Sequence, residues 1–298
     1  MAINKAAISL LIKEAKREPF SGKVLQIGRQ EIWCDEQYLN FIGEKESFVF
    51  NNISYASYDY IKSKFRPIEC IDDTYFFKKI GFDEVYSLDC SDFEGANYIF
   101  DLNEYPVPEK LRDSFDVIID VGTIEHIFHL PNTLNNIFDM LKVGGRVIHY
   151  VPVDMIEHGF YNFSTYFFND FYTHNNFKTI EHLITRLKYN ECDSAECTSV
   201  LPGSQFLNNI VAGLLDKYTH CLFYVGMKTE ASTGNLIPQQ SYYIQEWSGL
   251  AKDRGGITSY PLLKKKYNQL KDAVIIGKIL QWLRNYFPKL LIKWTRIS

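Results

Sequence analysis

Apolar residues in this chain fall into short continuous runs, separated by stretches in which they recur every three or four positions. The runs are Lys23–Gly28 (KVLQIG), Glu84–Asp89 (EVYSLD), Asn97–Leu102 (NYIFDL), Phe115–Gly122 (FDVIIDVG) and Arg146–Val151 (RVIHYV). Such runs suit strands covered on both faces, as in parallel sheets. Helices are expected between them. Residues 2–18 form one, stopped by Pro19. Asp72-Asp73 caps a second that runs to Ile80 and closes on Gly81. Residues 132–142 form a third, with Leu134, Ile137, Phe138 and Leu141 on one face and Gly144-Gly145 ending it. Strands alternating with helices in this way predict an α/β, doubly wound, mostly parallel sheet.

The remainder is less regular. Residues 29–70 lack a clear period and read as an insertion, either a lid or an ornament. Residues 153–219 read as elements on the substrate side: an aromatic-rich segment over 158–177, a strand over 178–186, then loop and short helix over 187–219. His220–Lys228 (HCLFYVGMK) is a last strand, and the polar stretch 229–260 reads as a linker. The expected organisation is one domain over 1–230, followed by a linker and tail over 231–298.

Ligands of open α/β sheets sit at the carboxyl ends of the strands. Gly28, Asp89, Asp101 and the loop from Asp120 to His129 all fall at such ends. A glycine there lets a ligand approach the backbone. A carboxylate ending the second strand suits the hydroxyls of a ribose.

Composition adds limits. The 298 residues are 46% hydrophobic and 23% charged, an ordinary globular balance. The net charge of −4 argues against a nucleic-acid-coating surface. It is unevenly spread. From Tyr260 onward there are nine Lys/Arg and one acid, so the tail carries +8 and the rest of the chain −12. The six cysteines show no CxxC spacing, and reduced thiols in a cytoplasmic protein are expected. The first twenty residues hold too short an apolar run for a signal peptide or a span.

Taken together, these strand ends, the GxxEH run Gly122–His126 and the later HGFYNFS segment His158–Ser164 resemble the class I S-adenosylmethionine-dependent methyltransferases. The resemblance covers about residues 20–185 and the strand at 220–228. It implies a seven-stranded Rossmann-like sheet with a C-terminal helical extension, and S-adenosyl-L-methionine as cofactor. It implies that Asp89 takes the ribose and that Asp101 and Leu102 lie beside the adenine. Gly28, Asp120 and Gly122 then face the methionine part. The chain departs from the family in its first loop, IGRQEIW, which keeps only Gly28. The distance from Gly28 to Asp89 is also long where roughly 20 residues is usual, which places an insertion of roughly 40 residues between them. A dinucleotide oxidoreductase would need a GxGxxG loop, and residues 26–36 (QIGRQEIWCDE) offer none.

The acceptor is expected to be a small molecule or a glycan, with a sugar hydroxyl as the reacting group. His126, His158 and Tyr161 are the candidate catalytic residues, a histidine being able to take a proton near neutral pH. The resemblance includes relatives that bind a divalent metal through an E-x-x-E-H run; Gly122 removes one of those carboxylates and leaves Glu125, His126 and a distant His158 as at most a weak Mg²⁺ or Mn²⁺ set, so no metal is expected and the pair reads as structural. The competing reading is a non-catalytic Rossmann-like assembly module. In the tail, 261–298, Ile276, Ile279, Leu280, Leu283 and Phe287 share one helical face, with Trp282 and Trp294 nearby. A basic amphipathic helix of this kind suits the inner face of a membrane or a partner subunit.

Overall fold

The computed structural model describes residues 2–54, 61–62, 69–188, 191–200, 218–248 and 295–296. In chain order the elements are β1 (Ala2–Ile3), α1 (Lys5–Arg17), β2 (Lys23–Ile27), β3 (Glu31–Ile32), α2 (Glu36–Glu46), β4 (Ile61–Lys62), β5 (Glu69–Cys70), α3 (Asp73–Lys79), β6 (Glu84–Asp89), β7 (Tyr98–Ile99), β8 (Phe115–Val121), α4 (Leu130–Met140), β9 (Leu141–Pro152), α5 (Tyr166–His174), β10 (Lys178–Lys188), β11 (Glu191–Ser199), β12 (Tyr218–Met227), α6 (Ser241–Trp247) and β13 (Thr295–Arg296).

Among the described residues the main sheet has the order β13-β11-β10-β12-β9-β8-β2-β6-β7. Strands β7, β6, β2, β8 and β9 are mutually parallel. β12 runs antiparallel to both β9 and β10, so β10 points the same way as the parallel set. The expected α/β, doubly wound, mostly parallel sheet is therefore present. It is extended at one edge by β11 and β13.

Alternation along β2 shows how the two faces are filled. Val24 joins Ile8, Leu11, Ile12 and Phe76 in the cluster under α1 and α3, whereas Leu25 and Ile27 join Leu134, Ile137, Phe168 and Tyr172 under α4 and α5. In α4, Leu134, Ile137 and Met140 are 3%, 0% and 0% exposed. Burying side chains of this size contributes about 1.5–3 kcal/mol each. The helix ends at Met140, before Gly144-Gly145, where Leu141 turns extended (φ −82°, ψ 131°) and begins β9. The Lys228 ammonium donates to the carbonyls of Phe138 (2.8 Å) and Leu141 (2.6 Å) and pairs with Asp113. A cation satisfies the orphan carbonyls of a helix end.

Three expectations change. The segment expected as an insertion over 29–70 is, through its described part, a piece of the core. Ile32, Cys34, Leu39 and Ile42 are buried in the α1 cluster. Second, β11 occupies part of the stretch expected as loop and short helix. Third, residues 229–241 do not form a free linker. Asn175 donates to Leu236 O (2.9 Å) and accepts from Thr233 Oγ1 (2.9 Å), and Ser241 N donates to Asp170 (2.8 Å), strapping the segment to α5. The tail helix, with Trp282 and Trp294, lies outside the described residues. No helix among the described residues is long and apolar enough to cross a membrane.

His182 on β10 is 7% exposed and meets Tyr224 edge-on, with centroids 5.6 Å apart. Burial pushes its pKa down to about 4, against about 6.5 in the unfolded chain. The unfolded state thus binds the extra proton as pH falls below 6.5, and the native state loses stability progressively toward pH 4. We expect the melting temperature to fall between pH 7.5 and pH 5 and His182→Gln to flatten that fall. Parallel profiles for the two proteins would refute this.

Candidate active site

The chain visits β2, β6 and β7 on one side of the sheet, then crosses to β8 and β9 on the other. The switch point therefore lies between β2 and β8. The crevice outside their carboxyl ends is where such sheets bind ligands.

The loop after β8 is built on Asp120, which is 0% exposed. Its Oδ1 accepts from the amides of Thr123 (3.1 Å) and Ile124 (3.2 Å), forcing a tight turn. Its Oδ2 accepts from His149 Nδ1 (2.8 Å), and His149 Nε2 accepts from the Tyr172 hydroxyl (2.8 Å). All three side chains are buried, and the imidazole stacks on Phe168 at 4.1 Å. The tautomer follows from the partners: Tyr172 keeps its proton because burial drives its pKa well up. Asp120 was expected to face the ligand. Its carboxylate instead turns into the core, where a buried charge needs this many donors.

Thr123 ties this turn to the first strand. Its hydroxyl donates to Ile27 O (2.6 Å) and accepts from Gln30 Nε2 (3.2 Å). Gly28 has a left-handed backbone (φ +70°), and a Cβ there would meet Thr123 Oγ1 at 2.9 Å. The glycine is thus explained by Thr123, before any ligand is considered. Sequence reasoning missed Gln30. It is 3% exposed, and its Oε1 has no hydrogen-bond partner. Arg29, also missed, pairs with buried Asp73 and donates to the carbonyls of Glu94 (3.1 Å) and Gly95 (3.3 Å), clamping the loop after β6.

Asp89 ends β6 half-buried, and its backbone carbonyl accepts from Phe100 N (2.8 Å), which brings Asp89 and Asp101 into adjacent turns. The Asp101 carboxylate is exposed and accepts from the Asn103 amide and side chain at 2.9 and 2.8 Å through one oxygen. Leu102 is buried in the core, its carbonyl taken by Thr133 (3.3 Å).

The segment His158–Ser164 docks on the turn after β8. The amides of Phe160 and Tyr161 donate to Glu125 O at 2.7 and 3.3 Å. Gly159 (φ +70°) makes this approach possible, since a Cβ there would stand 2.8 Å from the same carbonyl. Docking brings His158 Nε2 to 3.4 Å from Glu125 Oε1 and its ring to 5.0 Å from that of His126. Glu125 is 0% exposed, and neither carboxylate oxygen has a hydrogen-bond partner. Burial, and then the charge of Asp120, push its pKa up to about 8. His126 is shifted down by burial and by His158. Tyr161, expected as catalytic, has its hydroxyl donated to Phe128 O (2.7 Å) and serves to close the loop. Gly122 (φ +73°) begins the turn, with Glu125 Oε1 3.3 Å from where a Cβ would lie. Two hollows of about 220 and 300 Å³ lie elsewhere, at the carboxyl end of α4 against Phe138, Asp139 and Ser232.

No family model and no curated protein matches the chain. Solved structures do. One from Methanococcus maripaludis, named only provisionally as an S-adenosyl-L-methionine-dependent methyltransferase, is 13% identical over 49% of this chain and 56% of its own, with a TM-score of 0.28. Phosphoethanolamine N-methyltransferase 2 of Haemonchus contortus, solved with phosphomonomethylethanolamine and S-adenosylhomocysteine, is 13% identical over 74% and 52%, with a TM-score of 0.38. The 1,6-didemethyltoxoflavin-N1-methyltransferase of Burkholderia thailandensis, solved with its substrate and S-adenosylhomocysteine, is 13% identical over 76% and 80%, with a TM-score of 0.39. The chain spans about half the length of the first two. All three TM-scores lie below 0.5, so the topology of this chain stands on its own strand register.

The buried relay gives a direct measurement. Tyr172→Phe leaves His149 Nε2 without its donor and should cost about 1–3 kcal/mol in urea unfolding. Asp120→Ala, which strips three donors of their acceptor, should cost about 3–5 kcal/mol. A Tyr172→Phe cost indistinguishable from zero would remove the relay as a structural element.

Proposed function

We propose that this chain is an S-adenosyl-L-methionine-dependent methyltransferase. The observation that carries the reading is the buried Gln30 Oε1, which lies orphaned beside Gly28 at the carboxyl ends of the strands, with the Asp89 and Asp101 carboxylates in adjacent turns on the β6 side of the switch point. The cofactor brings matching donors. Asp89 would accept from the ribose hydroxyls, Asp101 from the adenine amino group and Gln30 from the ammonium. Gly28 and Gly122 would line the methionine end. Bound there, the cofactor would supply a methyl group on a sulfonium sulfur. Holding donor and acceptor in line accounts for most of the acceleration in such transfers.

On the other side of the switch point His126 and His158 are exposed, and the exposed rings of Phe128 and Phe160 meet edge-on at 5.5 Å. Aromatic surfaces beside a proton-accepting imidazole support a ring-bearing acceptor, and a sugar or glycan hydroxyl fits that description. The tail charge of +8 supports contact with an anionic membrane surface. Co-flotation with anionic liposomes that persists unchanged after removal of 261–298 would remove the tail as the membrane contact.

Calorimetry with S-adenosylmethionine and S-adenosylhomocysteine tests the cofactor. Both should bind, and Asp89→Ala should weaken binding by roughly 10- to 100-fold, the loss of hydrogen bonds to a charged acceptor. Absence of binding at millimolar ligand would support the non-catalytic assembly module instead. Unchanged affinity in Asp89→Ala would overturn the ribose assignment.

A further inference from the structure

We propose that Glu125, His126 and His158 form a binding site for a divalent transition-metal ion. Each offers one ligand atom, and the three atoms lie within 4.8 Å of one another. They reach this spacing through the fold rather than the sequence, because Gly159 lets the 158–164 segment sit on the Glu125 carbonyl. The missing carboxylate at Gly122 is thus replaced from another loop.

The strongest support is the state of Glu125. It is wholly buried, and both oxygens lack a hydrogen-bond donor. An unpaired buried carboxyl is costly in either protonation state. Protonation does not resolve it, since the new hydroxyl would also need an acceptor. Pairing with a protonated His158 satisfies one oxygen at 3.4 Å but sets an imidazolium against the His126 ring at 5.0 Å. A bound cation satisfies the carboxylate and uses two neutral imidazoles. It also offsets the charge that the buried Glu125 and Asp120 carboxylates bring to one turn.

The donor set selects the ion. Two imidazole nitrogens and one carboxylate suit Zn²⁺ or Mn²⁺ better than Mg²⁺ or Ca²⁺, which favour oxygen-rich shells. Three protein ligands leave coordination open, and both histidines reach solvent beside Phe128 and Phe160. If the methyltransferase reading holds, an acceptor hydroxyl could fill the open position, where a metal ion makes its proton easier to lose. Metal binding itself does not depend on that reading.

The test uses the full chain, stripped with chelator and free of cofactor. Zn²⁺ and Mn²⁺ are titrated separately by calorimetry, with the electron paramagnetic resonance of Mn²⁺ as a second readout. We expect one ion per chain and a rise in melting temperature. His126→Ala, His158→Ala and Glu125→Gln should each weaken binding by at least about tenfold, while His174→Ala, on a distant helix, should not. The two histidines are exposed, so their variants carry the test if Glu125→Gln fails to fold. No binding at millimolar metal, or equal binding by His158→Ala, would overturn the site. Binding of Mg²⁺ in preference to both other ions would overturn its assignment to a transition metal.

Discussion

The Asp120 carboxylate organises the whole crevice. It is taken fully out of water, which is tolerable only because two backbone amides and an imidazole point at it. Those bonds fix the turn from Gly122 to His126. The turn in turn aims Thr123 at the first strand and presents the Glu125 carbonyl to the segment that carries His158. The same carboxylate reaches through His149 to Tyr172, so α5 on one face of the sheet is tied to the loop at its edge. Removing this one charge would loosen three loops together.

The glycine-poor first loop is understandable in these terms. A phosphate-binding loop needs several glycines because backbone amides must wrap an anion. Here the one essential glycine makes room for Thr123, and its neighbours are side chains with defined work. Arg29 holds the loop after β6, and Gln30 closes the gap between β2 and β8. Rigidity that glycine loops obtain from bound phosphate comes here from a side-chain network.

Much of the architecture was legible in the sequence. The strand Phe115–Val121 was readable because burial on both faces makes it largely apolar, and Glu84–Asp89 because a short apolar segment follows the Gly81 stop of the preceding helix. The helix cap at Asp72 was readable because its side chain performs a local task, accepting from Tyr75 N at 2.9 Å. β11 was not. Its sequence, ECDSAECTS, is polar and edge-like, and its strand form depends on pairing with β10, including an Arg186–Glu196 ion pair. Propensity cannot reveal a strand imposed by its neighbour. The site was half legible for the same reason. Asp89 and Gly28 stand at strand ends that periodicity locates. The burial of Asp120 and the meeting of His158 with Glu125 depend on long-range contacts that no local pattern encodes.

The crevice therefore has two sides with different support. Asp89 and Asp101 belong to β6 and β7 and their turns, which are held by the pairing of β6 with β2, by Arg29, and by bonds from Asn103 to His129 and Asn132. Glu125, His126 and His158 belong to loops locked to the core through Asp120 and Gly159. A group-transfer site needs its two reactants held in line within a few tenths of an ångström. Both sides are braced: the Asp120 turn fixes the β8 side, and Asn103 ties the turn after β7 to the same loop and to α4 through His129 and Asn132.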